Sequence, residues 1–248
     1  MKCHTGPVKS ALKGFGPIYV TNVKSRTDRR DHMLAEFKKQ VVTDFEFFEC
    51  IDAATQDLSA FVGNIEALAV SKQELAASIS HLKLIENWLA TSASPYAIIM
   101  EDDLTFETVD DWQWDWREFL DKIEPDYQML QLAIINPGRV NTSIHYREAR
   151  DWSVGCYLIK RSWAETLMKK YFKNGKIIFP DTTRVRTVPE GVIYSGALCL
   201  SFPLFVNSIS LGPNINEDKI ETMHKKSRDE VLEFWKTKPK SLTRKLPN

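Results

Sequence analysis

Glu101, Asp102 and Asp103 stand directly after four apolar residues, Ala97, Ile98, Ile99 and Met100. The apolar run behind Pro95 predicts a buried strand. Three carboxylates at its end serve no packing purpose, because they repel one another and each resists burial. A doubly charged cation makes such a cluster tolerable, and magnesium and manganese are usually held by one or two carboxylates plus substrate phosphates. In open α/β sheets ligands gather at the carboxyl ends of strands, where this triplet would lie. Along an extended chain Glu101 and Asp103 can point the same way, so one could hold the cation while the other reaches a ribose or a water. A solvated turn is the competing reading, since Asp is common in turns; the place at the end of an apolar strand favours the metal.

Other residues could do chemistry beside this cluster. Asn22, Arg26, Arg29 and Arg30 fall between a first strand and a first helix, a setting suited to a phosphate or nucleotide. Their spacing alone favours an exposed basic face paired with Asp28 and Asp31. Ser80-His81 lies in a second helix, with His81 flanking its apolar face; such histidines are mostly semi-buried and structural. His224 matters only if the tail folds back to complete a metal site. Trp112, Trp114 and Trp116 alternate, and at least two are expected in the core because tryptophans bury large areas.

The elements that must position these groups follow from periodicity. Strands are predicted over Pro17 to Val23, Phe45 to Cys50, 97–100, Gln128 to Ile135 and Val154 to Lys160. Helices are predicted from a capping box at Ser25-Arg26-Thr27-Asp28 through Gln40, and from a second box at Ser71-Lys72-Gln73-Glu74. The second carries Leu75, Ile79, Leu82, Ile85 and Leu89 on one face. Further helices are expected over Asp115 to Ile123, Arg161 to Phe172 and Ser227 to Lys236. The early alternation of strand and helix implies a βαβ parallel sheet.

The 248 residues suffice for one large α/β domain. With 33 basic and 33 acidic residues, nothing global points to nucleic acid. Cys3, Cys50, Cys156 and Cys199 lack metal-type spacing and read as reduced thiols of a cytoplasmic protein. No signal peptide is expected in the opening residues. Gly191 to Asn216 carries no charge; with Pro203, Pro213 and its serines and asparagines it reads as two short buried strands, not a membrane helix. The basic end (Lys236, Lys238, Lys240, Arg244, Lys245) allows at most a peripheral contact with anionic membrane. The expected organisation is a lead-in over 1–16, one domain over 17–236 and a basic tail over 237–248.

Five stretches in order resemble glycosyltransferase family 25, which includes lipopolysaccharide sugar transferases and relatives of collagen galactosyltransferase. They are IYVTNVKSRTDRRDHM, Glu74 followed by SISHLKLIENW, YAIIMEDDL, VGCYLIKRSWAETLM, and PEGVIY with the later SFPLFV. Together they span roughly residues 17–206, and their order makes the match specific. Two departures stand out: Cys156 separates Gly155 from Tyr157, and Glu190 stands where many members have Asp.

The resemblance implies a GT-A-like, Rossmann-type single domain, α/β with a central mostly parallel sheet flanked by helices. It implies a hexosyltransferase moving a hexose, galactose or glucose, from a UDP-sugar to a glycan or other hydroxyl acceptor, as in lipopolysaccharide biosynthesis, with Mn2+ or Mg2+ as cofactor. By carry-over, Asn22, Arg26 and Arg29 would lie near the nucleotide, Ser80 and His81 would line the donor pocket, and Asp102 would serve the sugar–phosphate. Glu101 and Asp103 would hold the metal; His224, beyond the stretch that carries the resemblance, is a further metal-ligand candidate from the residue reading alone. An inverting transfer needs a carboxylate base: Glu190 is the candidate and Asp181 the reserve. A metal-dependent phosphohydrolase or a non-catalytic nucleotide-sugar-binding module could use the same acidic strand end.

Overall fold

The computed structural model describes residues 11–123, 125–138, 143–212 and 223–237. In chain order the elements are β1 (Ile18–Asn22), α1 (Thr27–Gln40), β2 (Phe45–Glu49), α2 (Lys72–Thr91), β3 (Tyr96–Glu101) and β4 (Leu104–Thr105). Then come α3 (Trp116–Asp121), β5 (Met129–Ala133), β6 (His145–Tyr146), β7 (Cys156–Lys160), α4 (Arg161–Tyr171), β8 (Phe172–Lys173) and β9 (Lys176–Ile177). The chain continues with α5 (Arg184–Thr187), α6 (Pro189–Ile193), β10 (Cys199–Asn207) and α7 (Lys225–Thr237).

One sheet has the order β2-β1-β3-β7-β5-β10-β4, with β6 also paired to β10; β8 and β9 form a separate hairpin. The pairs β1–β2, β1–β3 and β5–β10 are parallel. β7 runs antiparallel to both β3 and β5. Strands β2, β1, β3, β5 and β10 therefore share one direction, and their carboxyl ends form one edge. This is the expected α/β class with a mostly parallel sheet, interrupted by one reversed central strand. The reversal is where the plain βαβ expectation falls short: a hydrophobic run fixes burial but not strand direction.

Alternation along the strands sorts the core onto two faces. Ile18, Val20, Ile98 and Met100 pack with Met33 and Phe37 of α1, with Trp116 and Phe119 of α3, and with Val231 and Trp235 of α7. Tyr19, Ala97 and Ile99 pack on the other face, against α2, α4 and α6. Trp112, Trp114 and Trp116 are all buried; Trp112 and Trp114 stack at 4.9 Å between ring centres, and both approach Trp235. They are core residues, as large apolar rings usually are. The expected lead-in is partly structural too, since Leu12 and Phe15 are buried and Phe15 meets Trp116 edge-on.

The capping boxes at Ser71/Glu74 and Asp115/Glu118 both form. The one expected at Ser25–Asp28 does not: Arg26 is the cap residue, with no side-chain bond to the helix, and Asp28 instead takes two hydrogen bonds from its guanidinium. The uncharged stretch from Gly191 gives the end of α6 and the single strand β10 in place of two short strands; residues 213–216 lie outside the described set. Among the described residues no helix is long and apolar enough to cross a membrane.

Helices α5 and α6 are absent from the sequence prediction, being only four and five residues long. They are docked on α2 by Ser78 Oγ, which donates to the Thr187 carbonyl at 2.6 Å, and by an Arg184–Glu74 ion pair. Gly191 lets them meet: a Cβ there would sit 2.0 Å from the Val185 carbonyl oxygen and 2.9 Å from Arg186 Cα. Overpacking of this kind costs about 1–3 kcal/mol. Gly191→Ala should lower stability by about that amount in urea denaturation; a variant as stable as the parent would show that α5 and α6 separate freely.

Candidate functional site

The site lies at the shared carboxyl edge, at the ends of β1 and β3, with α1 on one face of the sheet and α2 on the other. In open α/β sheets ligands gather at the carboxyl ends of the strands. The strand pleat divides the acidic triplet. Glu101 continues the Ala97–Ile99 side, toward α2, and Asp102 turns to α1.

Asp102 is 3 % exposed, and both its carboxylate oxygens are taken. Asn22 Nδ2 donates to Oδ2 at 2.7 Å, and Arg29 Nη1 donates to Oδ1 at 2.7 Å. Burial pushes its pKa up, while Arg29 and Asn22 pull it down; the donors on both oxygens favour the ionised form. Asn22 also donates to the Arg26 carbonyl at 3.1 Å. Arg29 is 3 % exposed and donates through Nη2 to the Gly212 carbonyl at 2.5 Å. The residues expected to face a nucleotide are thus spent on one another: Arg29 is a buried countercharge, and Asp102 is the anchor of the motif. Arg26 is only partly covered and reaches the Leu211 carbonyl at 2.6 Å.

Asp103 is more open, with 18 % of its side chain exposed. Its Oδ1 accepts from Asn207 Nδ2 at 2.8 Å, and its Oδ2 lies 3.1 Å from Arg29 Nη1. Asn207 ends β10 and had no counterpart in the sequence reading. A polar residue closing an apolar strand, as at Asn22, is the signal that could have found it.

Glu101 is the unsatisfied member. Burial, then the charges of Asp103, Glu190 and Asp102, push its pKa up to about 8 against the pull of Arg29, and among the described residues its carboxylate has no hydrogen-bond partner. Glu190 therefore stands at the acidic cluster although it arrives from α6. Its Oε1 accepts from the Ser153 N–H at 3.1 Å.

Ser80 and His81 are buried. Ser80 Oγ donates to the Ala76 carbonyl and accepts from the Ile51 N–H at 2.9 Å, fixing the chain that leaves β2. His81 Nδ1 lies 2.9 Å from the Tyr157 hydroxyl. Burial pushes the imidazole down to about 4 and the phenol well up, where the charge of Glu101 adds to the effect. Both are neutral at pH 7, and one hydrogen bond joins them. Cys50, at the end of β2, is driven up to about 12 by burial and the neighbouring carboxylates, so its thiol is unreactive.

Asp181 is not drawn into this group. Its carboxylate caps Thr183, accepting from N at 3.0 Å and Oγ1 at 2.7 Å, and its nearest cation is Arg186. The start of α7 lies against the end of β5. Ser227 of α7 donates to the Ile134 carbonyl and accepts from the Asn136 N–H at 2.9 Å, which sets His224, half-buried just before α7, at this edge of the sheet.

The donor set suits a hard cation: oxygen ligands, net negative charge and one carboxylate without a hydrogen bond. Among the described residues no group of three or more His, Cys, Asp or Glu side chains stands at ligand spacing. A cation here would take one or two carboxylates and complete its shell from substrate and water.

The loop after β6 brings a second buried polar cluster beside Glu190. His145 Nδ1 lies 2.8 Å from the Ser143 carbonyl and Nε2 lies 3.2 Å from Asp151 Oδ2. Burial lowers the His145 pKa, but Asp151 and the Ser143 carbonyl outweigh it, and the net shift is upward. Asp151 is held down, His145 and the Glu148 N–H outweighing its burial.

A family model described as glycosyltransferase family 25 (LPS biosynthesis protein) matches residues 15–181. A protein of Acanthamoeba polyphaga mimivirus that is named as a glycosyltransferase is 28 % identical over 122 residues. That match covers 47 % of this chain and 37 % of the viral protein, so this chain spans little more than a third of that relative. Among solved structures, protein A197 from STIV aligns at 9 % identity and a TM-score of 0.42, over 76 % of this chain and 82 % of the other. A glycosyltransferase involved in glycosylating the major capsid of PBCV-1 aligns at 10 % identity and a TM-score of 0.35, over 87 % and 97 %.

Two expected outcomes follow from the geometry. Arg29→Met leaves Asp102 buried and uncompensated and should cost about 3–5 kcal/mol in urea denaturation, part of which Arg29→Met/Asp102→Asn recovers. A single-variant loss below about 1 kcal/mol would contradict the strut role. The His145–Asp151 pair has a defined pH window. A raised histidine pKa gives stability that is full below the unfolded value of about 6.5 and lost as pH rises through the folded value. A lowered Asp151 gives stability present above about 3.9 and lost as pH falls through its folded value. The stability gap between parent and His145→Gln should therefore be wider at pH 5–6 than at alkaline pH, above the raised folded value; a gap that grows with pH would refute it.

Proposed function

The chain belongs to glycosyltransferase family 25, and from that premise we propose that it moves a hexose from a UDP-sugar, galactose or glucose being the sugar, to a hydroxyl of a glycan or similar acceptor. The observation that supports the site assignment is that one segment holds both carboxylate-bearing residues: the Glu101 N–H donates to the Gly155 carbonyl at 2.7 Å and the Ser153 N–H donates to Glu190 Oε1 at 3.1 Å. A base and a cation-binding carboxylate must flank the reacting carbon, and the charge of Glu190 adds, after burial and Asp103, to the raised pKa of Glu101.

In this reading Glu101 and Asp103 hold a manganese or magnesium ion, with His224 as a further ligand candidate from the returning tail. The cation, when bound, neutralises charge that builds on the leaving diphosphate. Asp102, Asn22 and Arg29 do not touch substrate; they fix the strand end so that Glu101 and Asp103 face the crevice. Arg26, on the rim, is placed to meet the donor's phosphates or ribose. Tyr157 and His81 form a neutral floor beneath Glu101. A neutral floor keeps the strongest field of the crevice at the carboxylates, where a cation and its phosphates gather.

Glu190 acts as the base. It accepts the proton of the acceptor hydroxyl as that oxygen attacks the anomeric carbon, while the bond to the diphosphate breaks and the electron pair leaves with UDP. The Ser153 N–H on Oε1 orients the carboxylate and leaves Oε2 for the acceptor.

Thermal-shift titration of UDP-galactose and UDP-glucose with and without manganese tests the donor, because binding to the native state raises apparent stability. Asp103→Asn should abolish the manganese-dependent shift while the nucleotide-free melting point stays close to the parent's. Glu190→Gln should keep that shift and slow transfer by about 10²–10⁴-fold. Full-rate transfer by Glu190→Gln would give the base role to another group. Release of phosphate from simple esters with no sugar donor would favour a phosphohydrolase.

A further inference from the structure

We propose that His145 is a positioning residue for Glu190, acting through Asp151 and the backbone of Ser153; this rests on Glu190 being the base. The chain of contacts is continuous. Both ring nitrogens of His145 face acceptors that carry no hydrogen, a carbonyl at 2.8 Å and a carboxylate at 3.2 Å. Only the doubly protonated imidazolium satisfies both. The pair is buried, with 8 % and 6 % of the side chains exposed, so the cation is a fixed part of the loop.

Asp151 uses the same oxygen to accept from the Glu148 N–H at 2.7 Å, and its own N–H donates to the Glu148 carbonyl at 3.0 Å. These bonds close the 148–151 turn. Beyond it, three successive carbonyls, of Asp151, Trp152 and Ser153, accept from one amide, Gln131 Nε2, at 3.0, 3.1 and 2.9 Å. Gln131 is fixed in turn by Ser201 Oγ, which donates to its Oε1 at 2.6 Å. Ser201 is the residue paired with His145 across the β6–β10 ladder, so the loop is clasped from both sides.

The clasp ends in a backbone that a serine rarely adopts. Ser153 has φ 97°, a strained conformation that persists only where the surroundings over-determine it. Its Oγ accepts from the Gly155 N–H at 2.8 Å, and its carbonyl accepts from the Tyr194 hydroxyl at 3.2 Å. With the oxygens so engaged, its N–H is turned to Glu190 Oε1. Arg147 of the same loop lies over the Tyr194 ring at 4.3 Å and donates to the Asp151 carbonyl at 2.8 Å. The strained residue and the buried ion pair thus act together on one N–H, and the partner of that N–H is the base.

The experiment compares the parent, His145→Gln and Asp151→Asn by UDP release from UDP-galactose with manganese and by amide hydrogen exchange at Ser153. Either variant should lower kcat by about tenfold and leave KM for UDP-galactose within about twofold, the pattern of a misplaced group beside bound donor. Ser153 should lose exchange protection while β3 and β7 amides keep theirs. If His145→Gln does not fold, Asp151→Asn carries the same expectation.

Glu190→Asp, whose shorter side chain cannot reach the Ser153 N–H, gives the decisive background. There His145→Gln should change kcat by less than about twofold. Losses that multiply independently, or unchanged Ser153 exchange in both loop variants, overturn the proposal. Full turnover by Glu190→Gln would instead remove the base assignment, and the two failures are thereby distinguishable.

Discussion

The ion pair between Arg29 and Asp102 is the constraint on which the crevice depends. Two charges stand almost fully out of water, joined at 2.7 Å, with Asn22 on the second carboxylate oxygen. Such a pair gives little net stability over an apolar equivalent, but it allows one arrangement of its partners. Here it ties the first turn of α1 to the end of β3 across the end of β1. The direction of Asp102 then dictates that of its neighbours through the pleat. Glu101 is left facing α2 without a hydrogen bond, and Asp103 is left partly open beside Asn207. Arg29 and Asn22 compensate Asp102, whereas burial and its acidic neighbours push the Glu101 pKa up to about 8 and favour its protonated form.

A further acidic group is brought to this cluster from a distant part of the chain. Glu190 rides on a helix too short to be stable alone. Its position comes from docking: α5 and α6 lie against α2 through Ser78 and Glu74, and a glycine beside Glu190 allows their backbones to touch. Burial and the repulsion of neighbouring carboxylates together raise the pKa of Glu101.

The loop from His145 to Ser153 supports the same carboxylate from the other side. Its device differs in kind. Around Asp102 a fixed charge holds a strand end, whereas around Asp151 a buried imidazolium holds a turn. The turn then forces one serine into a left-handed conformation whose N–H meets Glu190. Both devices hold buried polar groups through several hydrogen bonds each, although the Nε atoms of Arg29 and Arg147 are buried without a partner among the described residues.

The sequence alone determined the local pieces. Periodicity placed most of the major strands and the long helices within a few residues, and the Ser71 capping box was readable because its four residues are contiguous. The acidic triplet at the end of an apolar strand located the site, since clustered carboxylates carry their own electrostatic cost wherever they fold. Tertiary structure decided the rest. The antiparallel direction of β7 depends on which neighbours it meets, and a run of apolar residues reads the same in either direction. Arg29 became a buried countercharge, Asp102 an anchor and Asp181 a surface cap because each role is fixed by a partner distant in the chain. The nearness of Glu190 to Glu101 rests on short helices and a close glycine contact that carry no periodic signal. Local spacing encodes which faces are apolar; it does not encode which charge on one element will find its partner on another.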